Sequence, residues 1–394
     1  MMSFGSMKTT KKAAAEAEFR ASIMEYFAQV PDPRVERTRQ HPLVSVLVLS
    51  LVAVISGADS FVAIEEFGRA KLAWLKTFLH LPHGIPSHDT IGRIFGALHP
   101  GALREAFRGW VMAVNRLTRG EVVAIDGKTL RRSFREAGSG AFVHMVSAWA
   151  TSNHVVLGQV KTEEKSNEIT AIPDLLKLLE IKGCLVTIDA MGCQKEIASQ
   201  IVERQADYLI AVKDNQPTLR GDLENIFAEL RRDPQHPALD FHQTRDTGHG
   251  RIEIRRCWTT DVAEAVSQAK EWSKLATLVM IESERTVDGK TSIEQRYAIC
   301  SRRSLPAKEA LRSVRAHWGI ENGLHWVLDV AFREDDCRVR VGYAAENFAV
   351  MRHIVVNLLK AVEGRKVGIK NRRLWAAWNH DFMLRVLASG KDVG

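Results

Sequence analysis

Only five cysteines occur in 394 residues (Cys184, Cys193, Cys257, Cys300 and Cys337), an odd number with no CxxC pair among them. That spacing argues against a disulfide framework and against a zinc site, and it makes a reducing cytoplasm the expected compartment. Long apolar runs are also missing. The most apolar stretch, Leu43 to Ile55, falls well short of the ~20 residues that cross a bilayer and reads as a buried helix. The first residues lack the apolar core of a secretory signal. No internal repeat and no low-complexity tract is visible. Against these absences stands an excess of cations: 55 Lys and Arg to 47 Asp and Glu, net +8. The balance favours a polyanionic partner without identifying one.

The hydrophobic period changes along the chain. Residues 1–115 read as helical, with Ser87 placed to cap a helix running through Thr90. Short helices meeting at Gly and Pro turns suit either a DNA-binding helix-turn-helix or a plain bundle. From Glu121 three strand-like segments follow in series (EVVAIDGKTLR, AFVHMVSAWAT, NHVVLGQVKTEE), and then helices alternate with the strands GCLVTIDAM and DYLIAVKD. A meander followed by βα units is the order of an α/β, ribonuclease-H-like fold. The expected catalytic core occupies 116–214 and resumes with helices over 304–394. Between them, 215–303 reads as a β-rich insertion holding an amphipathic helix and a hairpin turning at Asp288-Gly289.

Chemistry is concentrated in three carboxylates. Asp126 and Asp189 each end a strongly apolar segment, and Glu321 lies on a helical segment, HWGIENGLHWVLDV. An ionised side chain at the tip of a buried strand is tolerated only where water, a partner or a metal meets it. Three such groups together make a hard, oxygen-rich site for two Mg2+ ions, which suits phosphodiester cleavage. His317, Glu321, His325 and Asp329 recur at steps of four along one helix edge, so Asp329 is the alternative third ligand. A zinc site on His317, Glu321 and His325 is a remoter alternative, and a solvated acidic face is the plainest.

These motifs place the chain in a family. DPR, PSHDT, AIDGKTLR, DAMGCQ, VKDNQPTL, HGRIEIR, HWGIENGLHWVLDVAFREDD and AAENFAVMRH resemble the DDE transposases of bacterial insertion sequences, above all the subfamily of H-repeat-associated proteins. The resemblance implies Asp126, Asp189 and Glu321 as catalytic and metal-binding residues, with two Mg2+ or Mn2+ ions. It also implies double-stranded DNA as partner, at the element's ends and at the target, with the protein working as a homodimer or larger assembly. The wider group carries Tyr, Arg, Glu and Lys around the last carboxylate. This chain has Val314, His317, Glu321 and Leu328 there, so only the glutamate matches. A nuclease without strand transfer, or an inactive DNA-binding relative, are the rival readings.

Other side chains are candidates for DNA contact. Lys128, Arg131 and Arg132 follow the first aspartate, and Lys213 and Gln216 follow the strand after the second. Arg251 and Arg255 share a strand face near Trp258, a combination suited to phosphate contact and base stacking. Arg315, His317 and His325 complete the set around Glu321.

Overall fold

In the computed structural model the described residues are 23–114, 117, 120–130, 143–162, 168–248, 250–363 and 366–388. Among these, four helices of ten or more residues precede the sheet: α1 (Leu43–Ile55), α2 (Phe61–Ala70), α3 (His88–Ala97) and α4 (Pro100–Val114). Ser60 and Ser87 cap α2 and α3, each side chain accepting the N–H three residues on, from Ala63 and Thr90. Helix α1 is buried on every side except at Val44. The span Glu36–Ile55 is long and apolar enough to cross a membrane by length and composition, but 67% of its most apolar 18-residue window is buried inside the protein. It is a core helix.

The centre is one nine-stranded mixed sheet in the order β3-β2-β1-β4-β5-β9-β8-β7-β6. Strands β1 (Val122–Leu130), β2 (Val143–Ala150) and β3 (Val155–Thr162) form the expected antiparallel meander. After α5 (Glu168–Leu178), β4 (Leu185–Ile188) pairs parallel with β1; after α6 (Lys195–Glu203), β5 (Asp207–Val212) pairs parallel with β4. Helix α7 (Pro217–Leu230) then leads to β6 (Asp240–Gly248), β7 (Arg251–Thr260), β8 (Thr277–Val287) and β9 (Lys290–Cys300). The β-rich segment therefore prolongs the same sheet, because β9 pairs antiparallel with β5. Asp288 and Gly289 turn β8 into β9 with φ of 49° and 75°, the left-handed pair that a two-residue hairpin of this type requires.

The helix expected between β7 and β8 does not form; that stretch holds two single 3-10 turns, Ala263–Ala265 and Ala269–Glu271. Tertiary bonds override its periodicity. Ser267 donates through N–H and hydroxyl to Asp222, and Asp261 accepts from Thr277 and Ser304, which pins the backbone in an irregular path.

Both faces of the sheet are covered. Val123, Ile125, Val186, Ile188, Tyr208 and Ile210 pack with α5, α6 and α7 in the large core. Val122, Leu185, Leu209, Cys257 and Val279 pack on the opposite side under α8 (Ala307–His317). The chain continues from α8 through a π turn (Glu321–His325) into α9 (Trp326–Phe332). Helices α10 (Ala344–Ala361), α11 (Ile369–Trp378) and α12 (His380–Ala388) close the structure. Buried α10 joins the two ends of the chain. Its Asn347 amide donates to the carbonyls of Phe95 and Leu98 at 2.8 Å, and Asn357 bonds both backbone groups of Val156 on the outer strand β3. The outward backbone groups of Val156 are thereby unavailable for further pairing.

Candidate active site

The register sets Asp126 beside Asp189. Strand β1 and strand β4 run parallel, with Ile125 opposite Ile188, and the next step on each is an aspartate. The expectation that Asp126 ends its strand is corrected here: β1 continues to Leu130, paired with β2, and Asp126 is uncovered because β4 stops at Ile188. Asp189 turns the chain, accepting the N–H groups of Met191 (3.0 Å) and Gly192 (3.4 Å). Asp126 accepts the N–H of Gly127 at 2.9 Å.

Crowding of negative charge shows in the acidities. Burial, with the charges of Asp189, Glu168 and Glu321 adding to it, pushes the Asp126 carboxyl up to about 7 against the pull of the Gly127 N–H. Asp189 is also raised, first by burial and then by Glu168, with the Gly192 and Met191 N–H groups and Lys213 opposing. Glu321 is an exposed residue in the π turn; partial burial of its carboxyl raises its pKa, and the Arg296 guanidinium opposes this. The π turn modifies the expected uniform steps of four, because the Trp326 N–H bonds to the Glu321 carbonyl five residues back.

Glu168, in the first turn of α5, was not singled out from the sequence. It bears on both aspartates, and for Asp126 it outweighs Glu321. The Nε2–H of buried His144 donates to it at 2.6 Å, and Nδ1 of that ring meets the Thr129 hydroxyl at 2.8 Å. A glycine inside a strand is the sequence signal that would have found it. A Cβ at Gly127 would fall well inside van der Waals contact with Glu168 Oε1 and His144 Nε2.

The other predicted residues have varied surroundings. Lys128 lies in a cage of carboxylates, 2.7 Å from Asp329, 3.2 Å from Glu334 and 3.4 Å from Asp335. Burial favours its neutral form, yet the three anions prevail and raise its pKa. His317 meets the Thr187 hydroxyl at 3.1 Å, and its Nδ1 is held neutral by burial, with a pKa lowered to about 4. His325 faces Asp126 at 3.5 Å and is lowered by burial to about 3. Lys213 is exposed. Gln216 instead ties its loop to the Asp189 turn by donating to the Cys193 carbonyl at 2.8 Å, as Asn215 does to Ala190 at 2.6 Å. Cys193 is buried, which pushes its thiol up to about 12, as befits a packing residue.

Farther out, Arg255 pairs with Asp246 (2.6 Å) and Glu253 (2.5 Å), and Arg315 reaches the same Asp246 at 3.3 Å. Trp258 has the Arg231 guanidinium 4.1 Å from its ring centre and the Phe241 ring at 5.2 Å, so it is stacked within the protein. Arg251 is exposed, and Arg131 and Arg132 lie outside the described residues.

Chemically, oxygen-only donors carrying mutually repelling charges fit a hard divalent cation, which would relieve the repulsion that raises the aspartates. In their present positions, no three His, Cys, Asp or Glu side chains among the described residues are grouped closely enough to hold a metal.

The family described as Transposase DDE domain matches residues 118–358, and the one described as DDE_Tnp_1-associated matches 24–111. The chain belongs to the DDE transposase family. "Putative transposase YncI" of Escherichia coli O157:H7 is 42% identical over 382 residues, covering 95% of this chain and 96% of its own. "H repeat-associated putative transposase YhhI" of Escherichia coli (strain K12) is 40% identical over 371 residues, 93% of this chain and 97% of its own. A solved piggyBac transposase synaptic complex with hairpin DNA covers 94% of this chain and 80% of its own at 10% identity, with a TM-score of 0.41, too loose a likeness to bear on any residue. DDE transposases generally use divalent metal ions.

Proposed function

We propose that this DDE transposase cuts DNA at the ends of an insertion sequence and joins the freed 3′ ends to target DNA. The observation that carries the reading is the parallel register that sets Asp126 and Asp189 side by side at the end of β4, within the electrostatic reach of Glu321. Asp126, Asp189 and Glu321 would hold Mg2+ or Mn2+. When bound, two such ions would supply activation of the entering oxygen and stabilisation of the leaving one. The strand order 3-2-1-4-5 supports a ribonuclease-H-like core over 116–214 and 304–394, with 215–303 as its β-rich insertion; residues 1–115 would be a DNA-binding helical region. The protein would act in the cytoplasm as a homodimer or larger assembly, since two DNA ends must be joined together. Its helical edge of His317, Glu321 and His325 is a poor zinc site, because both imidazoles already face strand side chains.

Incubating the protein with its own element's ends and Mg2+ should yield cut ends and joined products, and chelation should abolish both. Cutting without joining would favour the nuclease reading, and end binding with neither would favour the inactive relative.

Cation binding should follow pH. Asp126 must lose its proton to serve as a ligand, so Mn2+ affinity, measured by calorimetry, should weaken as pH falls through about 7. Without metal the sign reverses. A carboxyl raised from 3.8 to about 7 contributes stability that is fully present below the lower value and lost as pH rises through the upper one. The melting temperature of wild type minus that of Asp126→Asn should therefore become more negative across that interval. A flat difference would remove the crowding argument.

A further inference from the structure

Arg255 and Arg256 of β7 are paired with carboxylates, whereas a row of cations on α8 is mostly not. Helix α8 presents Lys308, Arg312 and Arg315 at positions i, i+4 and i+7, all three exposed. Like charges at these spacings weaken a helix. Neither Lys308 nor Arg312 has an ion-pair partner among the described residues, and Arg315 shares Asp246 with Arg255. The acid within the row, Glu309, is held by Arg302 at 2.7 Å. Ion pairing therefore accounts for Arg315 only and leaves Lys308 and Arg312 without an internal partner among the described residues.

The three cations line one side of a groove of about 510 Å³, and His242 and Thr244 of β6 line the other. At ~1.5 Å per residue, Lys308 to Arg315 spans roughly 10 Å. One strand of duplex DNA carries a phosphate about every 3.4 Å of axis, so a row about 10 Å long runs past about three phosphate intervals. The same helical run leads, six residues after Arg315, to Glu321.

We propose that the groove between α8 and β6 takes the sugar-phosphate backbone of duplex DNA, with Lys308, Arg312 and Arg315 as its phosphate contacts. The assignment rests on the transposase reading and adds to it a surface on which DNA flanking the cut is held without regard to sequence. Because the contact is to backbone, a labelled duplex of arbitrary sequence is a sufficient probe.

The test is anisotropy of that duplex with the full-length protein, in chelator, across a range of KCl. The double variant Lys308→Gln/Arg312→Gln should bind more weakly and lower the slope of log affinity against log salt by about 1.8, at an unchanged melting temperature. The single variant Arg255→Gln, whose guanidinium is internally paired, should leave the slope near that of wild type. A slope unchanged in the double variant, with wild type binding and cutting its own ends, would overturn the groove and leave the transposase reading standing. Failure of wild type to bind that duplex would overturn the groove, and failure to bind or cut its own ends as well would overturn both. If the double variant keeps its DNA slope but sediments as a smaller species, the groove holds an acidic segment of a second copy, and the DNA assignment is overturned.

Discussion

Asp126→Asn, Asp189→Asn and Glu321→Gln should each lower DNA cleavage by at least ~10³-fold, about 4 kcal/mol of transition-state stabilisation, with melting temperatures at or above that of wild type. Each change removes a metal-ligand charge and keeps the shape of the side chain. The stability half of the prediction comes from crowding. Burial and neighbouring anions already hold Asp126 and Asp189 above the usual carboxylate range, so a neutral amide at either position relieves repulsion in the metal-free protein. A variant that loses cleavage because it unfolds would melt early and would say nothing about the site. Asp329 is the discriminating control. Its charge is matched to Lys128 at 2.7 Å, so Asp329→Asn should loosen that cage and lower the melting temperature more than it slows cleavage. Cleavage retained in Glu321→Gln and lost in Asp329→Asn would move the third ligand to Asp329.

Much of this arrangement is written locally in the chain. The two aspartates can be read because each follows an apolar run, and the hairpin at Asp288-Gly289 because two-residue turns of that geometry need left-handed backbone at both positions. Ser87 announces its helix through a hydroxyl three residues before the N–H it caps. What escapes is long-range. Asp126 looks like a strand end in one dimension, and only the shorter neighbour β4 makes it one in space. Lys128 looks like a phosphate ligand until Asp329, Glu334 and Asp335 arrive from about two hundred residues away. Residues 261–276 have a helical period, yet partners on Asp222, Thr277 and Ser304 hold them otherwise. The cations of the β7 face read as a DNA surface by composition, whereas cross-strand carboxylates already hold Arg255 and Arg256.

Gly127→Ala should be among the most damaging small substitutions in the chain. The added methyl falls on Glu168 Oε1 and His144 Nε2; the Glu168 carboxylate can swing aside only by giving up its bond to His144, and the His144 ring has less room to move. His144 is buried on β2 with its other nitrogen against Thr129, and Glu168 is fixed in the first turn of α5. Overpacking of this kind typically costs ~1–3 kcal/mol, which a denaturant melt resolves. The functional loss should be larger than the stability loss, because displacing Glu168 or β1 disturbs the residue adjacent to Asp126 and the field that both aspartates feel. Two further variants separate packing from charge. Glu168→Ala in the Gly127→Ala background removes one of the two clashes and should recover part of the stability, the contact with His144 Nε2 remaining. Glu168→Gln alone keeps the volume, removes the charge, and should move the pH dependence of Mn2+ binding downward, since Asp126 then loses a repelling neighbour. A Gly127→Ala protein that melts and cleaves like wild type would show that the glycine makes no room for Glu168, and Glu168 would lose its place beside the two aspartates.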